Sequence, residues 1–125
     1  MKIGSTIFAT AMLLGACAMA HEGSAHDGTG PNGGRLADTA KYHLELVVKA
    51  DTIDVFVSDK ASRPIPATGL SGIAVVVAGG TSTRVPLIGE TAKLSGKATT
   101  KLPDGTRSVV QVKLPDGQTI QASFD

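Results

Sequence analysis

The chain has 125 residues, enough for one domain and too few for a multidomain enzyme with a large buried cleft. Aromatic residues make up 3% of it and Trp is missing, so a core must be built mainly from aliphatic side chains. Its 12 basic and 11 acidic side chains form no basic run, which argues against nucleic acid and anionic membrane surfaces as partners.

Met1 and Lys2 give a short basic start, and Ile3 to Ala16 is an apolar run without a charge. Ala18-Met19-Ala20 then puts small residues at the two positions that signal peptidase inspects, so residues 1–20 are expected to be a signal peptide. The run is too short for a stable bilayer span, and no transmembrane segment is expected in the mature chain. Leu14-Gly15-Ala16-Cys17 also resembles a lipobox, which leaves an outer-membrane lipoprotein acylated at Cys17 as the alternative to a soluble periplasmic protein. Cys17 and all three Met (Met1, Met12, Met19) lie in this segment. The chain from His21 onward therefore has no sulfur, which excludes a disulfide scaffold, a thiol nucleophile and a soft metal site.

Residues 21–34 carry five Gly, one Pro and no large apolar side chain, a composition that reads as a flexible His/Gly arm. The domain proper is expected over residues 35–125. Tyr42, Leu44, Leu46 and Val48 alternate with His43, Glu45 and Lys49, and Ile53, Val55 and Val57 alternate with Asp54 and Ser58. Ile73 to Ala78 is continuously apolar, as in a strand covered on both faces or near a sheet centre. Thr83 to Ile88 is a further strand that Pro86 pushes towards an edge. Gly89 to Ala98 is the one helix candidate, and Gly96 with its Thr neighbours argues against it. Val110, Val112 and Leu114, and then Ile120, Ala122 and Phe124, complete the period-two runs. Lys101-Leu102-Pro103-Asp104-Gly105 recurs as Lys113-Leu114-Pro115-Asp116-Gly117, two turns with Gly at positive φ, so the last three segments are expected to form an antiparallel meander. The whole predicts an all-β fold, a small immunoglobulin-like β-sandwich of six or seven antiparallel strands, with an open barrel as the alternative.

All three histidines, His21, His26 and His43, fall early in the mature chain, with Glu22, Asp27 and Glu45 beside them. Imidazole and carboxylate without sulfur suit Cu(II), Zn(II), Ni(II) or Co(II), copper and zinc foremost, and not Cu(I). Cleavage after Ala20 would let the amine and imidazole of His21 chelate one ion, whereas lipidation at Cys17 would abolish that chelate. Alternation puts His43 and Glu45 on one face of a strand, expected to be the outer one, to which the arm could bring His21 or His26. Gly28 to Gly34 lacks the Lys-Ser/Thr and the helix of a phosphate loop, and no nucleophile elbow surrounds any Ser. Neither an organic cofactor nor enzymatic activity is expected.

His26-Asp27-Gly28, Gly30-Pro31-Asn32-Gly33-Gly34-Arg35-Leu36 and Tyr42-His43-Leu44-Glu45-Leu46 together resemble a segment near the start of periplasmic adaptor subunits of tripartite heavy-metal efflux pumps. Small stand-alone exported proteins that accompany such systems are similar, and Arg63-Pro64-Ile65-Pro66 and Leu114 to Phe124 look like the same domain. The resemblance implies periplasmic handling of divalent heavy-metal ions, with His21, His26 and His43 at the matching positions and an efflux pump component as partner. The chain departs from the group in its sparse leader histidines and in Asn32, which stands where a His would be expected. It also lacks the helical hairpin and lipoyl-like module of a full adaptor, so a stand-alone accessory is implied. The competing expectation is a non-catalytic interaction module of the cell envelope.

Overall fold

A computed structural model of the chain describes the backbone from Ala25 to Asp125 and the side chains from Gly28 onward. The expected signal peptide and cleavage site, Cys17, His21 and Glu22 lie outside the described residues. Nine strands follow in chain order: β1 (Ala25–Thr29), β2 (Arg35–Asp38), β3 (Tyr42–Lys49), β4 (Thr52–Asp59), β5 (Ser71–Ala78), β6 (Thr81–Gly89), β7 (Leu94–Lys97), β8 (Arg107–Lys113) and β9 (Thr119–Phe124). The fold is all-β, and among the described residues no helix is long and apolar enough to cross a membrane.

The alternation read from sequence is the alternation that is buried. Ile53, Val55 and Val57 of β4 point inward, as do Val110 and Val112 of β8 and Ile120, Ala122 and Phe124 of β9. Successive side chains of a strand leave on opposite faces, so each such run presents one continuous apolar face. With Leu44, Leu46, Leu87 and Leu94 these side chains make a single core, in which Phe124 is, among the described residues, the one fully buried aromatic.

All nine strands belong to one antiparallel sheet in the order β1-β2-β3-β4-β7-β6-β5-β8-β9. The sheet curls into a half-barrel until β9 comes against β1, β2 and β3. Arg35 spans that seam: its guanidinium donates to the carbonyls of Thr106 (2.7 Å) and Asp125 (3.4 Å) and lies 5.8 Å from the centre of the Phe124 ring. Partial burial lowers the Arg35 pKa from its ordinary value, while the nearby Asp125 charge opposes that shift.

Several expectations change. Six or seven strands in two sheets were the expectation, and nine strands in one sheet are found among the described residues. The reason is β7, four residues long, which pairs with β4 on one side and β6 on the other and so stitches two potential sheets into one. That pairing also breaks the expected terminal meander, because β8 pairs with β5 and β9 and not with β7. The two repeat turns themselves form as expected, with Gly105 at φ 72° and Gly117 at φ 88°. β6 is an interior strand despite Pro86, since its ladder with β7 involves only Ile88 and Gly89 and leaves the proline outside. β5 is interior too, but it is covered on one face only: Ala74 and Val76 face the core, while Val77 is 37% exposed. Finally, among the described residues pairing is already present at Ala25, ahead of Arg35, because β1 adds to the edge of β2.

Candidate functional site

Asp38 and His43 close the β2–β3 hairpin as directly opposed residues. Thr39 fixes the turn between them: its N–H and hydroxyl both donate to the Tyr42 carbonyl, at 2.8 and 2.9 Å, and its hydroxyl accepts the Tyr42 N–H at 3.1 Å. Opposed side chains lie on the same face of a sheet, so the imidazole and carboxylate meet. Nδ1 of His43 is hydrogen-bonded to Oδ1 of Asp38, and both side chains are partly buried, at 27% and 34% exposure. An ionised carboxylate can only accept, so Nδ1 carries the proton and Nε2 of an uncharged ring becomes the acceptor or metal-binding atom.

Two positions further along β3, on the same face, stands Glu45. The structure keeps the face it shares with His43 but corrects its expected exposure, since Glu45 is only 3% exposed. The turn between β1 and β2 covers it. Its Oε2 accepts the main-chain N–H of Asn32 (2.9 Å) and of Gly34 (2.8 Å), and its Oε1 accepts the Asn32 side-chain amide (2.9 Å). The turn can approach this closely because it carries no side chains there: a Cβ on Gly30 would stand 2.3 Å from the Glu45 carboxyl carbon, and one on Gly34 would stand 2.4 Å from the Leu46 carbonyl oxygen. Glu45 is thus engaged as a latch for the turn, a role distinct from the ligand role its residue type suggests.

Between these elements lies a groove of about 670 Å³. Its floor consists of two cross-strand rows, Leu36–Glu45–Phe56 and Asp38–His43–Ser58, spread over β2, β3 and β4. Pro31 forms one rim, and Pro64, from the loop after β4, contributes to another. That loop is held by Asp59, whose Oδ1 accepts the N–H groups of Ala61 (2.9 Å) and Arg63 (3.0 Å) and whose Oδ2 accepts Arg63 Nε (2.9 Å). The Arg63 N–H is the largest cause of a lowered Asp59 pKa.

Of the expected site residues, the structure therefore places His43 and Glu45 on one face, with His43 on the groove and Glu45 in the latch. His26 and Asp27 lie in β1, which is paired from Ala25↔Ala37 to Thr29↔Arg35. His21 and Glu22 are outside the described residues. Among the described residues, no group of three or more His, Cys, Asp and Glu side chains is arranged to hold a metal ion. The His43–Asp38 pair alone supplies one imidazole with an orienting carboxylate, which is an incomplete ligand set.

Sequence reasoning missed Asp38. The four residues of β2 are too few to display alternation, so the partner strand of β3 was invisible. A signal did exist, since Asp38-Thr-Ala-Lys-Tyr-His43 can be read as a hairpin that pairs its first and last residues. Compared with protein-family models, with curated proteins and with solved structures, the chain matches none.

Proposed function

We propose that this chain is a non-catalytic, exported accessory protein that binds divalent heavy-metal ions as cargo, Cu(II) or Zn(II) foremost, in the periplasm, in association with resistance or with an efflux pump component. One observation carries the reading. The His43–Asp38 pair sits at the end of β2 that β1 reaches at its first residue, Ala25 being opposite Ala37, one position short of Asp38. Ala25, the first residue of β1, therefore lies at the same end of the sheet as His43. His21 is four residues away, within a reach of about 14 Å. His43 is the ligand from the folded domain, and Asp38 fixes its ring. His21, through its amine and imidazole, and His26 are the further nitrogen donors, with Glu22 and Asp27 as oxygen donors.

Few ligands from a preformed site mean an ion that can be released, as buffering or transfer requires. Calorimetric titration of the chain beginning at His21 with Cu(II) and Zn(II) tests this. Binding with Kd on the order of 1 µM, weakened about tenfold or more in His21→Ala and in His43→Ala, is the expected result. Unchanged affinity in both variants overturns it.

A second reading, an interaction module of the envelope, is favoured by Ile88, which is 72% exposed on β6 beside the exposed Pro86. A partner recruited equally well by the Ile88→Asp variant would remove that support.

A further inference from the structure

Asn32 is the only asparagine in the chain, and it stands directly before Gly33. That dipeptide carries a reactivity of its own. The main-chain nitrogen after an asparagine can attack the side-chain carbonyl carbon, and a glycine there, lacking Cβ, leaves the approach open. The bond from Cγ to Nδ2 then breaks, ammonia leaves and a cyclic imide remains. Water opens the imide at either carbonyl, giving aspartate or isoaspartate. An amide and a water molecule thus become a carboxylate and an ammonium ion, with no enzyme or cofactor involved.

The turn between β1 and β2 controls both reacting groups. Asn32 and Gly33 are exposed, so water reaches them. However, the Asn32 side-chain amide donates to Oε1 of Glu45 (2.9 Å), and the Gly33 N–H donates to the Gly30 carbonyl (3.0 Å). Nucleophile and target are each held by a different partner, so cyclisation requires the turn to lift. The main-chain N–H groups of Asn32 and Gly34, at 2.9 and 2.8 Å from Oε2 of Glu45, resist that lifting as charge-assisted bonds.

The product cannot take the place of the reactant. An amide donates to Glu45, whereas an ionised carboxylate only accepts. Deamidation therefore sets two carboxylates against each other where a donor and an acceptor stood 2.9 Å apart. The isoaspartate form also lengthens the main chain by a methylene. There is little room for that beside Gly34, where an added Cβ would stand 2.4 Å from the Leu46 carbonyl oxygen.

We propose that Asn32 is a site of spontaneous deamidation gated by the Glu45 latch. The amide is lost when the turn lifts, and the new carboxylate keeps the turn from closing again. The change is one-way and uses no metal ion, so it stands apart from the metal-binding reading.

The test ages the whole chain at neutral pH, folded and in guanidinium chloride, and follows deamidation of the Asn32 peptide by mass spectrometry. Hydrogen exchange at the Gly34 N–H measures the open fraction of the turn in the folded chain. Folded chain should deamidate at least about tenfold more slowly than unfolded chain, and the ratio of rates should match the open fraction within about threefold. In Asn32→Asp, the Gly34 N–H should exchange at least about tenfold faster than in the parent chain. The amides of Ala74 and Val110, in the fully buried core, should stay as protected as before, which separates an open turn from a lost fold. Equal rates in the folded and unfolded chain overturn the proposal, as does a folded rate far above the open fraction. So does a Gly34 amide equally protected in Asn32→Asp. The rate comparison needs no variant, so it decides the gating even if Asn32→Asp fails to fold.

Discussion

The carboxylate of Glu45 accepts the main-chain N–H of Gly34 at 2.8 Å, joining the centre of β3 to the turn that leads into β2. With the two bonds from Asn32 this makes a buried acceptor serving three donors. Removing it leaves those donors without their carboxylate, in a turn whose main-chain bonds (Gly30 N–H to the Gly34 carbonyl, 2.8 Å; Gly33 N–H to the Gly30 carbonyl, 3.0 Å) are internal to it. Glu45→Ala is expected to lower stability by about 3 kcal/mol, and Glu45→Gln by about 1–2 kcal/mol, because the amide turns one donor towards the N–H groups. Urea unfolding of both variants measures this. A loss below about 0.5 kcal/mol in Glu45→Ala would contradict the latch.

The half-barrel seam gives a second prediction. Arg35 is the side chain that reaches from β2 to the Thr106 and Asp125 carbonyls while lying over Phe124. Arg35→Ala should cost about 1–2 kcal/mol, and Arg35→Lys should recover only part of it, since a point charge cannot reproduce the planar fork. Thermal unfolding distinguishes the three chains. Equal midpoints for Lys and Arg would show that charge alone closes the seam.

Asp59 supplies a pH prediction. Its carboxyl pKa is lowered from 3.8, first by the Arg63 main-chain N–H, so the charged form is favoured in the folded loop. A depressed pKa contributes order that is present above the unfolded value and lost as pH falls through the folded one. The Ala61 and Arg63 amide resonances should therefore titrate together, with a midpoint below 3.8. A midpoint at or above that value would contradict the loop geometry. Asp59→Ala should perturb Ser62 and Pro64, the groove-lining part of the loop, at every pH.

Most of the strand set was legible because its signal is local. Ile53, Val55 and Val57, or Ile120, Ala122 and Phe124, declare a buried face by alternation alone. What was not legible was pairing. β7 spans only Leu94–Lys97, and nothing in those four residues says that they will bridge β4 and β6. The site divides in the same way. His43 and Glu45 sharing a face follows from period two, whereas burial of Glu45 depends on a turn eleven residues earlier folding over it, and the His43–Asp38 contact depends on the short strand β2.

A ring held by Asp38 at Nδ1 and presenting Nε2 is the part of the metal-binding proposal that the folded domain must supply. Its most direct measurement is long-range ¹H–¹⁵N correlation of the histidine rings during Zn(II) titration of the chain beginning at His21. The account predicts that Nε2 of His43 shifts as the ion binds while Nδ1 stays protonated and bonded to Asp38, with the His21 ring responding over the same range. Shifts confined to His21 and His26, with both His43 nitrogens unmoved, would contradict it.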